Sequence, residues 1–384
     1  MPIKFTDSTP LVSSDSHTLP LGPLLRRPQR LIDTSSSFAG IYLRPSHANG
    51  GVVPASGALC CSPDIWIANQ APIDQPGTLI QPDSHSVSSS SNIENGMSNF
   101  IYVRGYNNGS ASQTRPVTLH YAPAAVVQWP CQWRDNIVRT ASGSTTSLLT
   151  AAAQSFGVTE QPFVWHDPPP PPPGSDHYGL IAQVSDTDEP PAPRTIHHVL
   201  DMAAWMTHGL NCGWKNSTHV PAPLGTSFAY STLLSIPHGL HAPGNTFLLW
   251  IAPRRYTGWS VQFSCSELDS DGRPVTLGLQ PVPISADGQI IGLVVTLEPG
   301  FHARLSVTLF SNGHRQLPGA SLPLMCSYQA SGTHAEQAFA RGLVDPVFMR
   351  AVNDGLRGTR QNLGTTPTAY VGLGGYTWTN PITS

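Results

Sequence analysis

Two alternating segments on either side of a turn constrain this chain more than any other feature. Within residues 99–123 (NFIYVRGYNNGSASQTRPVTLHYAP), apolar side chains recur at every second position, first at Ile101 and Val103 and then at Val117 and Leu119. This period of two is typical of strands that are buried on one face. The NNG turn between them predicts a long antiparallel hairpin, because Asn and Gly tolerate positive φ. A single hairpin is not stable in water, so we expect a second sheet to cover its apolar face.

The composition predicts an all-β protein. Only 11% of the 384 residues are charged, against about 25% in an ordinary domain, while the chain has 38 Pro and 34 Gly. Long surface helices use Lys and Glu heavily, whereas Gly and Pro favour short strands joined by turns. A net charge of -3 gives no electrostatic attraction to nucleic acid, so no nucleic-acid partner is predicted. No apolar run approaches the ~18 residues that a membrane span needs.

The pattern of strands and turns divides the chain into four parts. These are an extended N-terminal arm (1–61), a first β-sandwich (62–224), a second β-sandwich (225–332), and a helical segment with an extended C-terminal tail (333–384). The strand candidates of the second sandwich are 246–251, 259–265, 290–297 and 304–310. Asp-Gly and Asn-Gly turns separate them. The predicted fold class is therefore all-β, with two immunoglobulin-like antiparallel β-sandwiches, an extended N-terminal arm and a short helical C-terminal segment.

Three short segments have helical character. Residues 196–208 (IHHVLDMAAWMTH) and residues 334–356 place apolar side chains at helical spacing. The second of these helices is interrupted near Asp345-Pro346, because proline lacks the backbone N–H that a helix interior requires. The SLLTAAA segment at 147–153 is predicted to form a short helical turn.

The first predicted sandwich carries a series of short motifs. They are PDI at 63–65, NNG at 107–109, VTLHYA at 117–122, Trp-Pro at 129–130, GLIAQV at 179–184 and NCGWKN at 211–216. Over residues 62–220 their order resembles a bacterial immunoglobulin-like domain of the cell-adhesion-related (CARDB) group, although Gly105 and the HGL at 208–210 depart from the pattern of that group. The resemblance implies a non-catalytic module of a surface or exported protein, and it therefore argues against an enzyme.

Trp129 and Trp133 are the candidate binding residues, because two indole rings lie four positions apart in one short segment. An exposed pair would form an aromatic platform for a cell-surface glycan or receptor, whereas a buried pair would cap the core of a sandwich. The sequence leaves both arrangements open.

Candidate partner contacts lie near both ends of the chain. They are the basic residues Arg26, Arg27 and Arg30 and the aromatic residues Tyr370, Tyr376 and Trp378. The arm with the arginines either binds a partner or lies on its own domain. The glycine-rich tail with the aromatic residues is either a strand donated to a neighbouring subunit or an edge strand of the second sandwich.

The search for metal and cofactor sites finds only weak candidates. Asp186, Asp188 and Glu189 form a loose acidic cluster that suits either calcium or a solvated turn. Two histidine pairs, at 197–198 and at 238/241, do not have the spacing of a metal site on one element. No catalytic or nucleotide-binding motif occurs in a convincing context, so no cofactor is predicted. The six cysteines contain no CxxC pair and are expected to be free thiols.

Together these features predict a non-enzymatic structural or adhesive protein of an exported or self-assembling bacterial or phage-like particle, which acts through self-association or through other protein subunits. One alternative is the receptor- or glycan-binding component of a secreted toxin, and the other is a hydrolase with a site of scattered His and Asp residues. The N-terminus lacks the apolar run of a classical signal peptide. We therefore expect an extracellular or particle-associated protein that is exported by another route, with a cytoplasmic location as the alternative.

Overall fold

The chain folds into packed antiparallel β-sheets. A computed structural model describes residues 11–12, 36–55, 59–85, 91–191, 195–219, 226–242, 246–268, 274–344 and 368–380. The strands are β1 Leu11–Val12, β2 Ser36–Ser37, β3 Ile41–Tyr42, β4 Val52–Val53, β5 Ile65–Asn69, β6 Ser98–Asn107, β7 Gln113–Pro123, β8 Ile137–Thr140, β9 Ser147–Ala151, β10 Ser155–Thr159, β11 Phe163–His166, β12 Tyr178–Val184, β13 Cys212–Lys215, β14 Ser217–His219, β15 Ser227–Ser235, β16 Thr246–Ile251, β17 Ser260–Leu268, β18 Pro274–Pro283, β19 Ile291–Thr296, β20 His302–Phe310, β21 Ser321–Ser331 and β22 Thr368–Thr379. The helices are α1 Pro130–Trp133, α2 Val199–His208 and α3 Thr333–Ala340, with 3-10 helices at Pro76–Ile80 and Pro82–Ser84. The predicted all-β class is confirmed.

The first sandwich has β5, β6, β10 and β11 on one side and β7, β12 and β13 on the other. Two strands join the sides, because β8 pairs with both β7 and β11, and β9 pairs with both β7 and β10. Ile101, Val103, Val117 and Leu119 are completely buried in the inner core. The alternation in the sequence therefore identified the core-facing residues of β6 and β7 correctly.

Among the described strands, β6 and β7 do not pair with each other, so the predicted hairpin is wrong. β6 pairs with β3 and β5 along one edge and with β10 and β11 along the other. β7 lies between β12 and the strands β8 and β9. The apolar faces of β6 and β7 contribute to the same core from opposite sides of one sheet, which folds over through β8 and β9. The turn at 108–112 therefore crosses from one side of the sandwich to the other.

Residues Ser147–Ala151 form strand β9, and the predicted helical turn is wrong. Ser147, Leu149 and Ala151 are buried while the residues between them are exposed, which is the period of a strand. Leu and Ala favour helices, but backbone pairing with strands on both edges outweighs that weak local preference.

The second sandwich joins a four-stranded sheet to a six-stranded sheet. The strand orders are β15-β20-β17-β18 and β1-β19-β16-β21-β22-β14. Leu305 and Val307 of β20 and Phe247 and Leu249 of β16 are buried in one core. The strand predicted at 246–251 is confirmed as β16, because its bounds agree. The described pairs are antiparallel except β14 and β22, which run parallel.

The two sandwiches share a continuous hydrophobic core. Strand β12 is buried on both faces: Leu180 and Ala182 lie in the inner core of the first sandwich, whereas Ile181 lies with Trp214 in the cluster that extends into the second. Helix α2 adds apolar side chains to this larger cluster and packs against β22. The helix predicted at 196–208 is confirmed, although it begins at Val199.

Several predicted features lie partly or wholly outside the described residues. Arg26, Arg27 and Arg30 are among them. Of the residues before Ser36, the structure describes Leu11–Val12, which pairs with β19 at an edge of the six-stranded sheet. Helix α3 packs against β21 and β22, while residues 345–367 of the predicted C-terminal segment are not described. In the described part of the chain, no helix is long and apolar enough to cross a membrane.

Candidate functional site

Trp129 and Trp133 are buried, so the exposed aromatic platform that one interpretation of the sequence required is wrong. Their exposed fractions are 1% and 0%. Trp129 donates its indole N–H to the backbone carbonyl of Ser235 over 2.9 Å, and Trp133 donates to the carbonyl of Gln128 over 3.0 Å. An indole that is buried with its N–H satisfied is a core residue. A glycan cannot reach either ring without unfolding this region.

Trp133 belongs to an aromatic cluster on the outer face of the first sandwich. Its ring centroid lies 5.8 Å from that of Trp205 in α2 and 5.7 Å from that of Trp214 in β13, and the Trp205 and Trp214 centroids are 5.3 Å apart. His120 of β7 packs edge-on against Trp133 at 5.0 Å. These tilted and edge-to-face contacts add to the area that each ring buries. The cluster holds α1 and α2 on the sheet.

Tyr370, Tyr376 and Trp378 lie in β22 and are buried within the sheet of their own chain, so they do not form an exposed partner surface. Their exposed fractions are 3%, 0% and 1%. β22 pairs antiparallel with β21 from Thr368 to Thr379, and parallel with β14 on its other side. The tail therefore folds back on the second sandwich, as one of the two predicted arrangements proposed. It lies inside the sheet rather than at its edge.

β22 also binds the first sandwich and forms a joint between the two. The Asn216 side chain donates to the carbonyl of Ala125 over 2.7 Å and to that of Gly375 over 2.6 Å. The Gly375 N–H donates to the sulfur of Cys60 over 3.1 Å. At Gly374 the backbone passes so close to the first sandwich that a Cβ atom would lie 2.8 Å from the Val126 carbonyl oxygen. We call these contacts of β22 the β22 joint.

A polar network at one end of the β22 joint centres on Asp176. Its carboxylate accepts hydrogen bonds from the Tyr376 hydroxyl and, over 3.2 Å, from the Trp378 indole N–H. The ring of His177 lies 2.9 Å from the same carboxylate. Burial by itself would raise the pKa of Asp176, but the hydrogen bonds and the charge of His177 reverse that effect and hold the pKa below its ordinary value. The network fastens the loop before β12 to the last strand.

A buried ionic group lies on the other side of the first sandwich. The Arg44 Nε donates to both carboxylate oxygens of Asp64, over 3.1 and 3.0 Å, and a guanidinium nitrogen of Arg104 lies 3.6 Å from that carboxylate. Asp64 and Arg104 have no exposed surface. Arg104 also donates to the carbonyls of Leu79 and Ser84, over 3.0 and 2.9 Å. The group therefore attaches the 3-10 segment to the sheet and has a structural role.

The predicted acidic cluster does not converge on a cation site. Asp188 forms an ion pair with Arg115 at 2.8 Å, and its side chain is 91% exposed. Asp186 accepts a hydrogen bond from Asn211 over 3.2 Å. Within the described residues, neither of them nor Glu189 belongs to a group of three side chains with metal-binding atoms close together. The alternative of a solvated turn fits this arrangement.

Three histidines that are far apart in the sequence come together instead. The nitrogens of His198, His241 and His334 that face one another all lie within 4.8 Å. His198 precedes α2, His241 follows β15, and His334 is in the first turn of α3. His241 is exposed and the other two are half-buried. Sequence reasoning considered His198 and His241 only with their nearest sequence neighbours, and it missed His334.

The fold is that of an all-β protein in which mostly antiparallel sheets pack into two sandwiches. No protein-family model and no curated protein matches the chain. Among solved structures, red sea bream transglutaminase matches with 10% sequence identity and a TM-score of 0.16, over 68% of this chain and 29% of that enzyme. A similarity at this level carries no inference about fold or function, and the chain spans less than a third of that enzyme's length.

Proposed function

We propose that the protein is a non-enzymatic structural or adhesive component of an exported or self-assembling particle, of bacterial or phage-like type, and that it acts through protein–protein contacts outside the cytoplasm. The observation that carries this proposal is the β22 joint, which belongs to a core continuous between the two sandwiches. A large apolar interface removes the relative motion that linked domains otherwise have. A particle subunit needs such a fixed shape to hold its neighbours in register.

The resemblance of residues 62–220 to CARDB domains supports the same proposal, because such domains serve as non-catalytic modules of surface or exported proteins. The low fraction of charged residues also supports the proposal. With 11% charged residues, neutral polar side chains can cover much of the surface. Interfaces between subunits are depleted in charge at their centres.

Self-association must use a surface other than the tail, because β22 already has a partner on each side. Strand β18 is an edge of the four-stranded sheet, but Pro274, Pro281 and Pro283 remove backbone donors from it and oppose edge-to-edge pairing. We propose that the N-terminal arm with Arg26, Arg27 and Arg30, the other candidate partner contact in the sequence, supplies the subunit contacts.

Light scattering of the purified full-length chain tests this function. We expect an assembly of several chains whose mass falls in the triple variant R26A/R27A/R30A, which keeps β1 and its pairing with β19. The matched triple Arg→Lys variant keeps the charge and is expected to assemble. A full-length chain that has the mass of one copy at the highest concentration reached would overturn the proposal of self-assembly.

The three-histidine cluster favours the hydrolase as a second candidate, whereas the glycan-binding alternative has lost its two tryptophans and keeps only the loop around residues 84–96. Three imidazoles with an open fourth position are a known ligand set of catalytic zinc. The test is hydrolysis of p-nitrophenyl acetate with added zinc, compared between the natural chain and His241→Ala. A rate that depends on both zinc and His241 would favour the hydrolase over a purely structural role.

A further inference from the structure

The three histidines are held together by backbone contacts rather than by chance side-chain positions. The His241 N–H donates to the carbonyl of His197 over 2.6 Å, and the Val199 N–H donates to the carbonyl of His241 over 3.2 Å. Residues 198 and 241 thereby form a short parallel bridge, and their ring centroids lie 5.1 Å apart. Two of the three imidazoles are therefore placed by the same pair of backbone hydrogen bonds.

The third imidazole is placed by helix α3. The ring of His334 stacks on that of His198, with centroids 5.7 Å apart and an angle of 16° between the ring planes. A second contact joins the same two regions, because Arg341, directly after α3, donates to Asp201 of α2 over 3.0 Å. α3 itself rests on β21 and β22. The cluster thus lies where three segments distant in sequence meet.

The spacing of the rings suits one metal ion. In a tetrahedral zinc site the Zn–N distance is about 2.0–2.1 Å, so the ligand nitrogens lie roughly 3.3 Å from one another. The three nitrogens here lie within 4.8 Å of one another, so binding of an ion requires them to approach by about 1.5 Å at most. We propose that His198, His241 and His334 bind a divalent transition-metal ion of the zinc class, which clamps α2, the segment after β15 and α3 together.

The chemistry of the donors selects the class of ion. Imidazole nitrogen binds Zn²⁺, Cu²⁺, Ni²⁺ and Co²⁺ well, whereas Ca²⁺ and Mg²⁺ take oxygen ligands. The exposed position of His241 gives the ion an entry path from solvent. A water molecule, or a donor from a partner, would fill the fourth coordination position.

Metal binding replaces the hydrogen bond between His198 and the Leu200 amide with a bond from His198 to the metal ion. In the described structure its Nδ1 accepts the N–H of Leu200 over 3.1 Å and so caps the start of α2. Coordination through Nδ1 removes this hydrogen bond, and coordination through Nε2 requires the ring proton to move to Nδ1, which then no longer accepts. In either case the Leu200 amide loses its acceptor, and this change gives the proposal a local signature.

Titration calorimetry on the full-length chain, freed of metal with a chelator, is the test, with ZnCl₂ as the probe. We expect one equivalent of zinc to bind, and His241→Ala and His334→Ala each to weaken binding at least tenfold. His197→Ala and His238→Ala are matched controls, because both side chains are exposed neighbours of the ligands in sequence. They are expected to keep the affinity of the natural chain.

Two further measurements distinguish the site from adventitious binding. Co²⁺ at this site is expected to give the visible bands of tetrahedral coordination, and zinc is expected to raise the melting temperature of the natural chain but not of His241→Ala. Because His241 is exposed, circular dichroism of that variant without metal should match that of the natural chain. The absence of zinc binding, or equal losses in the ligand and control variants, would overturn the proposal. This outcome is independent of the mass measurement, so the metal site and the assembly function can fail separately.

Discussion

Trp378 donates its indole N–H to the carboxylate of Asp176 over 3.2 Å, although 202 positions separate the two residues in the chain. This hydrogen bond joins the last described strand to the loop that leads into β12. The stability of the β22 joint therefore depends on the ionisation of one carboxylate.

Replacement of Asp176 by Asn is expected to lower the free energy of unfolding at pH 7 by about 0.5–1 kcal/mol, because the hydrogen bonds to a charged acceptor are weakened while solvent screens a side chain that is 35% exposed. The pKa of Asp176 in the folded chain lies below its value in the unfolded chain. Its contribution is therefore complete above the unfolded pKa of about 3.9 and is lost as the pH falls through the folded pKa.

Urea unfolding of the natural chain and of Asp176→Asn at pH 7, 5 and 3 measures this effect. The difference between the two proteins is expected to shrink between pH 5 and pH 3. Asp186→Asn is the control, because the Asp186 carboxylate accepts a hydrogen bond from Asn211 rather than from β22. A difference that stays constant over this range would contradict the role of Asp176 as the charged acceptor.

The close approach at the β22 joint predicts a contrast between two glycines of the same strand. In Gly374→Ala the new methyl group would lie 2.8 Å from the carbonyl oxygen of Val126 and 3.2 Å from the Cα of Val127, so backbone must move. We expect a loss of about 1–3 kcal/mol in the free energy of unfolding. In Gly372→Ala the nearest atom is a Leu59 side-chain carbon at 3.5 Å, which is ordinary contact.

Thermal and urea unfolding of the two glycine variants provide the measurement. Gly372→Ala is expected to be neutral or slightly stabilising, because alanine has less freedom in the unfolded chain. Equal effects of the two substitutions would mean that β22 does not press against residues 126–127.

The buried ionic group predicts that removal of the Asp64 carboxylate strongly lowers the free energy of unfolding. Asp64→Ala leaves the guanidinium groups of Arg44 and Arg104 buried without their carboxylate, and a loss of about 3–5 kcal/mol is expected. The control is Asp188→Ala, which breaks an exposed ion pair with Arg115 and should change stability by less than about 1 kcal/mol. Urea unfolding at pH 7 measures both variants. Comparable losses in the free energy of unfolding would contradict a larger contribution from the buried group around Asp64 than from the exposed Asp188–Arg115 pair.

The aromatic cluster predicts that Trp133 is needed for folding rather than for binding. Trp133→Ala removes a completely buried ring and is expected to lower stability by about 3–5 kcal/mol. Phe339→Ala, at a side chain that is 41% exposed, is expected to change it by about 0.5 kcal/mol or less. A Trp133→Ala chain with the melting temperature of the natural chain would contradict the buried position.

The sequence predicted the positions and buried faces of the strands better than which strands pair with one another. Alternation at 101–103 and 117–119 identified the buried faces of β6 and β7, because a period of two reflects only which side meets the core. Pairing depends on contacts across the whole sandwich, and the residues of the turn between these strands do not indicate that it crosses from one side of the sandwich to the other. The helical appearance of 147–153 failed for a related reason, since pairing on both edges outweighs local propensity.

The candidate site was less predictable than the fold. His198, His241 and His334 come from three separate elements, and no short-range spacing links residues so far apart. Trp129 and Trp133 were open to two arrangements because an indole pair has the same spacing in a platform and in a core. Only the covering elements, which include α2, distinguish the two.

The position of β22 has a consequence for synthesis of the chain on the ribosome. Its parallel partner β14 pairs at Ser217 with Thr377, so at about 5–20 residues per second β14 emerges roughly 8–30 s before the strand that completes it. During that time the first sandwich can close around its own inner core, while the face that later receives β22 stays uncovered. A newly made chain therefore exposes the unpaired edge of β14 and the apolar side chains that β22 later covers for many seconds, and a chaperone can bind this surface before β22 is made.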